Sequence, residues 1–237
     1  MNAIRTASGL LLGAAFLAGC SERNASTGPT GTATGAVAAA LAAGKTSLVF
    51  DPVGDATNKA QDYQDIVRAE ITKVGRNFVL VMELAAPLPD NPPVPAGSDL
   101  LLWEIVLDTD PSTSPLGYPF PKDPATFEFV VEHRVYRPGF TDPLDPTQSA
   151  GFLMDRRPLL DGGQATIIPI QLSIEGAKLT WVIDAALLGD PSTFQWVGAT
   201  DSWSASNQIL KTGYINKNFF DVAPEVFSGA PLATWPQ

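Results

Sequence analysis

The feature that most constrains the fold of this chain is a set of short runs in which every second residue is apolar. All even positions of residues 78–84 are apolar, and so are all odd positions of residues 101–107. A period of two puts alternate side chains on one face of a β-strand, whereas an amphipathic helix has a period near 3.6. These segments are therefore predicted to be strands with one buried and one wetter face.

Further segments continue this pattern, with turns between them. Alternation runs through residues 127–136, and residues 166–174 and 179–183 are separated by Glu-Gly-Ala, which predicts a hairpin. Residues 185–189 suggest only a short helical turn. Asp-Pro steps mark turns, because the residue before proline avoids the helical region and Asp bonds nearby amides. Six such steps begin at Asp51, Asp110, Asp123, Asp142, Asp145 and Asp190.

Together these patterns predict an all-β fold. We expect an antiparallel β-sandwich of jelly-roll or immunoglobulin-like type with about eight to ten strands. No internal repeat and no second linker divides residues 46–237, so a single domain is the simpler prediction.

The N-terminus has the features of a secretory leader. Arg5 precedes an apolar run over residues 10–18, which is shorter than the about 20 residues that a spanning helix needs. The run ends in Leu-Ala-Gly-Cys20, which resembles the bacterial lipobox, where the cysteine is acylated and the chain is cut just before it. Residues 1–20 are therefore predicted to be a lipoprotein signal peptide, with Cys20 lipidated. An ordinary signal peptide with a chance cysteine is the alternative.

Cys20 is the only cysteine, so the mature domain has no internal disulfide and depends on its core. Residues 21–45 are mostly Ser, Thr, Gly and Ala, which predicts a flexible tether with a reach of about 25–30 Å. The expected location is the cell envelope, where the lipid attaches the chain to a membrane outside the cytoplasm. This is the outer membrane if the organism has one.

Charge and residue types argue against several functions. The formal net charge of −10 disfavours nucleic acid and anionic lipid headgroups, which need a basic face, and is compatible with divalent cations. His133, the only histidine, shares the apolar face of its predicted strand, which favours a packed histidine over a catalytic base. No zinc spacing or phosphate-binding glycine loop is present. We therefore predict no enzyme, although a hydrolase that uses two carboxylates stays open.

Two acidic motifs follow predicted strands. Asp51-Pro-Val-Gly-Asp55 comes after the first strand, and Asp108-Thr-Asp110 ends the strand over residues 101–107. Carboxylate oxygens are ligands that calcium prefers, and residues two apart on a strand point the same way. Asp51, Asp55, Asp108 and Asp110 are therefore candidate ligands of calcium, which is the one candidate cofactor. The alternative is that these side chains cap turns by bonding backbone amides.

The acidic motifs and their order resemble a known group of extracellular β-sandwich domains. Asp51-Pro-Val-Gly-Asp55, Asp65-Ile66, Asp108-Thr-Asp110 and Asp221-Val-Ala-Pro224 are similar to motifs of the carbohydrate-binding module family 9-like and DOMON-like domains. The resemblance covers residues 46–224. It implies a jelly-roll-like sandwich that binds sugars or, less often, haem or other redox groups. Haem is disfavoured, because one histidine and two methionines in the mature chain would have to supply its axial ligands.

A sugar site of the kind that this resemblance implies needs exposed aromatic rings flanked by polar groups. Trp196, Trp203 and Tyr118 are the candidate ligand-binding residues. Trp103 and Trp181 share the parity of the apolar core positions, so we expect them to be buried. For each aromatic residue, core packing is the alternative.

Two classes of function stay open, with a third behind them. The first is a lipid-anchored binding domain of the cell envelope, with carbohydrate as the candidate ligand. The second is a structural or protein-interaction lipoprotein without a small-molecule ligand, and the third is the carboxylate-only hydrolase. The expected partners are the membrane, through the N-terminal lipid, and a glycan or an envelope protein, but not nucleic acid.

Overall fold

The computed structural model describes residues 44–57, 60–110, 112, 127–142, 145–204 and 218–237. It confirms the all-β prediction, with twelve strands in two antiparallel sheets, and the helical elements in these ranges are short 3-10 turns. None of the described residues belongs to a helix long and apolar enough to cross a membrane. The strands are β1 (Thr46–Phe50), β2 (Ile66–Val74), β3 (Asn77–Leu84), β4 (Leu100–Asp108), β5 (Phe129–Tyr136), β6 (Gly151–Asp155), β7 (Thr166–Pro169), β8 (Gln171–Glu175), β9 (Lys178–Asp184), β10 (Phe194–Trp203), β11 (Asn218–Ala223) and β12 (Ala233–Trp235).

The five-stranded sheet has the order β1-β2-β3-β9-β8. The predicted hairpin is confirmed: Glu175 pairs with Lys178 across Gly176, whose φ of 63° lies in the left-handed region that favours glycine. At the other edge, β1 pairs with β2 in a register that ends at Phe50 opposite Arg68. The loop that follows β1 therefore starts beside the beginning of β2.

The seven-stranded sheet has the order β11-β10-β4-β5-β6-β7, and β12 also pairs with β10. Every residue of β4 is buried, and β10 pairs with it from Gln195 opposite Asp108 to Trp203 opposite Leu100. The wetter face that the sequence predicted is therefore absent from the middle of this sheet. Both of its faces carry apolar clusters.

The main core lies between the two sheets and includes Trp103 and Trp181, which are fully buried, as predicted. A second cluster lies on the outer face of the seven-stranded sheet. Its buried members from the strands are Leu100, Leu102, Val106, Val130, Phe152, Met154, Val197, Ala199, Trp203 and Val222. Alternate residues of one strand thus pack into different clusters, which gives the central strands two dry faces.

One predicted strand is divided between the sheets. Residues 166–174 form β7, in the seven-stranded sheet, and β8, in the five-stranded sheet, so the single strand predicted there is wrong. The division falls after Pro169, which has no N–H to continue a ladder. The predicted helical turn is present as a 3-10 turn over Ala185–Leu188 that ends at Gly189.

His133 is a packed residue of β5, as the sequence favoured. Its ring stacks on Trp103 at 5.4 Å between centroids, and its Nδ1 lies 2.6 Å from the carbonyl oxygen of Ala150. Burial lowers the pKa of His133, against the opposing effect of the bond with Ala150. The neutral ring thus belongs to the core.

Several polar bonds join elements of the two sheets, among them the following three. The indole Nε1 of Trp196 donates to Ser47 Oγ at 2.9 Å. The indole Nε1 of Trp103 donates to the carbonyl oxygen of Tyr63 at 3.0 Å, just before β2. The third bond links β2 to β11 through a carboxylate, and it lies at the site described next.

Candidate metal centre

Five acidic side chains gather where the first strands of the domain meet β11. Asp51 and Asp55 lie in the loop after β1, Asp65 directly precedes β2, Asp221 lies in β11 and Glu225 follows it. We call these five residues the acidic cluster. Asp51, Asp55 and Asp221 each place one carboxylate oxygen so that the three oxygens lie within 4.8 Å of one another. These three residues are the aspartate triad.

The loop that carries two members of the triad is fixed by its backbone. Gly54 has a φ of 86°, a conformation that favours glycine, and its N–H donates to Asp65 Oδ2 at 2.7 Å. A little further on, the N–H of Thr57 donates to the carbonyl oxygen of Phe220 in β11 at 2.8 Å. The loop is thus tied both to the start of β2 and to the strand that contains Asp221.

Asp221 itself is held by two backbone amides. Ile66 N–H donates to its Oδ2 at 2.5 Å, and Val222 N–H donates to its Oδ1 at 2.8 Å. The side chain is buried, with 4% of the residue exposed. Because an ionised carboxylate oxygen has more than one lone pair, a single amide on each oxygen leaves room for a metal ion.

Burial and mutual repulsion dominate the electrostatics of the acidic cluster. Burial raises the pKa of Asp51, and the charges of Asp221, Asp55, Glu225 and Asp65 act in the same direction, so that together they bring it to about 7. Burial also raises the pKa of Asp221 to about 7, although the two backbone amides oppose the shift. The neighbouring charges named here all belong to carboxylates, so the cluster disfavours its own full ionisation.

Two oxygens of the acidic cluster are buried without a hydrogen-bond partner among the described residues. They are Asp51 Oδ2 and Asp65 Oδ1, and only 4% of Asp65 is exposed. Burial raises the pKa of Asp65, against the opposing effect of the bond from Gly54. Buried polar atoms are nearly always satisfied, so such atoms call for a cation or a proton. Arg68, in β2, is engaged with Glu70 and Glu83.

Sequence reasoning reached part of this arrangement. Asp51 and Asp55 were predicted as calcium ligands, and the structure brings them together. The third member of the triad, Asp221, and the nearby Asp65 and Glu225 were not predicted as ligands. Only the motif resemblance pointed to Asp221, because spacing along the chain says nothing about residues as far apart as Ile66 and Asp221, which are separated by 155 positions.

The other predicted metal pair lies at the end of β4. Asp108 is buried, whereas Asp110 is exposed and its Oδ1 accepts from the N–H of Ser112 at 3.0 Å. The bonds from the Ser112 hydroxyl and amide lower the pKa of Asp110. Among the described residues, neither aspartate joins a group of three converging ligand atoms. Asp110 therefore bonds the amide of a turn, which was the alternative to a role as a metal ligand.

The tryptophans predicted as sugar platforms are buried, so their predicted exposure is wrong. Trp196 is 0% exposed in the core between the sheets, and Trp203 is 1% exposed in the second cluster. Both lie on β10, which has two dry faces, and neither ring is open to stacking by a sugar. Tyr118 and Cys20 lie outside the described residues.

A small open cleft lies beyond the end of β5. We call it the loop cleft; it measures about 380 Å³ and is lined by Tyr136, Arg137, Pro138, Gly139, Phe140, Thr141, Pro146 and Gln148. Its polar walls are fixed: Tyr136 Oη donates to Asp145 Oδ2 at 2.9 Å, and Gln148 Nε2 donates to the carbonyl oxygen of Phe140 at 2.9 Å. Aromatic and polar groups thus line one concave surface.

Two carboxylates occupy paired positions on neighbouring strands of the seven-stranded sheet, but they are closed to solvent. Glu104 in β4 pairs in register with Glu132 in β5, and both are 0% exposed. Arg134 Nε donates to Glu132 Oε2 at 2.6 Å. A glycoside hydrolase needs its two carboxylates on either side of a bound substrate, and this buried pair offers no such access.

Comparison with known proteins adds no assignment: no protein-family model matches the chain, and no curated protein matches its sequence.

Without metal, the stability of the domain should fall as the pH rises from about 4 to 7. The pKa values of Asp51 and Asp221 are about 7 in the folded chain and 3.8 ordinarily, so the folded chain holds protons that the unfolded chain has released. The raised pKa values do not lower the free energy of unfolding below about pH 4, and they lower it increasingly up to about pH 7. Melting temperatures measured in a chelator across this range test the sign.

The variant Asp51→Asn tests this pH dependence, because it removes one titrating carboxylate without removing a hydrogen bond described for that side chain. We expect it to flatten the pH dependence and to raise the melting temperature of the metal-free protein at pH 8. Asp90→Asn, at an exposed position, is the matched control and should follow the original chain. Identical slopes for all three proteins would contradict this account.

Proposed function

We propose that this chain is a lipid-anchored domain of the cell envelope that binds calcium through Asp51, Asp55 and Asp221. The observation that carries the proposal is the convergence of three carboxylate oxygens within 4.8 Å at an acidic edge where Asp221 is buried and Asp55 is exposed. Two nearby carboxylate oxygens without hydrogen-bond partners among the described residues support it. A divalent cation would reduce the repulsion between the carboxylates and would bind the oxygens that have no hydrogen-bond partner.

The ligand chemistry favours calcium. All the side chains in the acidic cluster offer oxygen, and hard cations take oxygen ligands. Two oxygens on opposite sides of a calcium ion lie about 4.6–5.2 Å apart, since each sits about 2.3–2.6 Å from the metal. The triad therefore fits around one calcium ion without a large rearrangement. Calcium also accepts irregular geometry more readily than magnesium does.

Bound calcium would connect distant parts of the chain. Asp51 and Asp55 follow the first strand, whereas Asp221 belongs to β11, in the other sheet. An ion held by all three crosses from one sheet to the other where the domain has no disulfide. Its binding free energy would then stabilise the fold, as expected for an ion that binds only the folded chain.

Calcium should raise the melting temperature at neutral pH and bind with a stoichiometry of one. At a calcium concentration about 100 times the dissociation constant, binding to the folded state adds about 2.7 kcal/mol. For a domain of this size that corresponds to a rise of about 5–10 °C. Isothermal titration calorimetry and thermal denaturation, with and without chelator, measure both quantities.

The variant Asp51→Asn should lose most of the calcium heat and most of the thermal shift, while Asp90→Asn keeps both. Magnesium is the comparison ion and should bind at least about tenfold more weakly, because it demands a smaller and more regular ligand shell. If excess chelator leaves the melting temperature of the original chain unchanged and calorimetry shows no heat, the calcium site does not exist.

The anchor is supported by Leu-Ala-Gly-Cys20 at the end of an apolar run and by the absence of any other cysteine. We expect the protein in membrane fractions to begin at Cys20 and to carry a mass increment of attached acyl chains. Cys20→Ser should abolish that increment, because a hydroxyl does not replace the acylated thiol. Mass spectrometry of the N-terminal peptide decides the matter, and an unmodified Cys20 in membrane fractions would refute the anchor.

A second candidate function, binding of a neutral carbohydrate, is favoured by the loop cleft. Tyr136 and Phe140 offer apolar ring surface there, and Arg137, Thr141 and Gln148 surround them with polar groups. The walls are held by internal bonds, which lowers the entropic cost of binding. The resemblance to carbohydrate-binding domains points to the same ligand class.

Carbohydrate binding is tested on an array of neutral glycans. We expect a ligand whose affinity falls at least about tenfold in Phe140→Ala, because the stacking surface is lost. Gln148→Ala, at an exposed position, tests the polar wall without touching the core. Phe50→Ala is the matched control, since Phe50 lies on the other sheet. No binding to any glycan would leave the interaction lipoprotein as the remaining alternative.

A further inference from the structure

Exposed apolar side chains flank the acidic cluster. Phe50, Val53 and Phe227 are 73%, 74% and 37% exposed, and they are three of only five large apolar side chains exposed among the described residues. Each lies within two residues of a cluster member: Phe50 precedes Asp51, Val53 lies between Asp51 and Asp55, and Phe227 follows Glu225. We call these three side chains the apolar rim. Because three of the five lie beside the aspartate triad, we look for one function that uses both the triad and the apolar rim.

The apolar rim is carried by ordered backbone. Phe50 ends β1 and pairs with Arg68, and the N–H of Asp51 continues that ladder to the carbonyl oxygen of Val67 at 3.2 Å. Val53 lies in the turn closed by the bond from Gly54 to Asp65. Side chains presented in this way do not have to be ordered again on binding.

The Phe227 side of the rim is fixed as well. The N–H of Phe227 donates to Glu225 Oε1 at 3.1 Å, and its ring packs against the ring of Phe219 at 5.3 Å between centroids. The carboxylate of Glu225 is one of those that raise the pKa of Asp51. An apolar surface thus borders the candidate metal centre from both β1 and the segment after β11.

We propose that this edge docks on a phospholipid membrane when calcium is bound, with the ion shared between the aspartate triad and lipid phosphate oxygens while Phe50 and Val53 enter the interface. The inference rests on the calcium site proposed above and adds a partner to it.

The ligand shell of calcium supports a shared ion. Calcium takes six to eight oxygens, and the three carboxylates of the triad supply three oxygens, or up to six if each binds through both. Asp55 is exposed, so the remaining positions open towards solvent on its side. Phosphate oxygens are hard ligands that suit those positions. The ion thus provides the polar half of the contact, and the apolar rim provides the other half.

Charge explains why the contact would depend on calcium. With a formal net charge of −10, the chain is repelled by anionic headgroups. Charges on remote parts of the domain are screened over about 8 Å at physiological ionic strength. The charge at the contact itself therefore determines whether this edge is attracted to the membrane or repelled by it. A calcium ion in the triad offsets two of the negative charges there and offers its open coordination positions to phosphate, where the bare carboxylates repel phosphate most strongly.

The predicted tether allows the domain to reach the membrane that holds its lipid. It ends where β1 begins, and Phe50 lies at the other end of this five-residue strand, about 15 Å away. A tether of 25 residues has an average reach of about 25–30 Å and a fully extended length of about 80–90 Å. Docking through the apolar rim would therefore fix the orientation of a domain that the lipid alone leaves free.

Because Cys20 is the only cysteine, a fluorophore can be attached at one chosen position to test membrane docking. In the full chain with Cys20→Ser, a second change, Val53→Cys, creates one thiol for an environment-sensitive fluorophore. With vesicles of phosphatidylethanolamine and phosphatidylglycerol and about 1 mM calcium, we expect a blue shift and at least about a twofold rise in emission, reversed by chelator. The same label at Leu160→Cys, an exposed apolar position outside the rim, should not respond.

Calorimetry on the same preparation separates the two proposals. Calcium binding without a vesicle-dependent response at Val53→Cys overturns the docking inference and leaves the calcium site in place, whereas no calcium binding overturns both. A response to calcium that appears equally without vesicles reports a change within the domain, and it also overturns docking.

A second measurement uses unlabelled protein. Phe50→Ala, also made in the Cys20→Ser chain, should weaken calcium-dependent sedimentation with these vesicles at least about tenfold, because an apolar group no longer enters the interface. Leu160→Ala, which removes an exposed apolar side chain outside the apolar rim, is the matched control and should sediment like the parent chain. Equal sedimentation of Phe50→Ala and the parent chain would overturn the role of the apolar rim.

Discussion

The bond from Ile66 N–H to the carboxylate of Asp221 is the contact on which the arrangement of this edge depends. It joins the first residue of β2, in one sheet, to β11, in the other, at 2.5 Å. The chain has no second cysteine to staple this join, and the acceptor is a buried charge. A neutral acceptor would close the sandwich at lower electrostatic cost, so the presence of an aspartate here needs a reason beyond closure.

That reason lies in the neighbours of Asp221. Asp51, Asp55 and Asp65 lie around the carboxylate, and burial together with the charges of Asp55 and Asp65 raises the pKa of Asp221 although two amides stabilise its ionised form. A set of carboxylates that served only as turn caps would not need to converge, since each could accept its amide separately. Convergence with raised pKa values is the arrangement that a proton or a metal ion relieves, and above about pH 7 protons alone no longer do so.

The sequence predicted strands in which every second residue is apolar and missed a strand without that pattern. β3 has an apolar residue at every even position, and its predicted bounds are close to those observed. β10 was not predicted, although it lies beside β4 in the middle of a sheet. Its residues pack into two different clusters, so apolar and polar positions do not alternate. This explains why the sequence left Trp196 and Trp203 open as candidate sugar-binding rings.

The candidate site divides in the same way between local and long-range information. Asp51 and Asp55 belong to one short loop, and a loop motif identifies them from the sequence. Asp221 reaches the same point only because β11 borders β10 while β1 borders β2, and the two sheets bring these edges together. Strand register and sheet order therefore determine that Asp221 lies close to Asp51 and Asp55. No spacing along the chain encodes it, which is why Asp108 and Asp110 looked equally suitable.

The two ends of β1 connect these observations to the proposed anchor. One end receives the tether, and the other carries Phe50 and leads directly into Asp51. An ion in the triad would fix this strand to β11, and with it the direction in which Phe50 and Val53 point. Since the tether itself is predicted to be flexible, the orientation of the domain relative to its membrane would then be set by the triad, not by the lipid. The metal would thereby act on position as well as on stability.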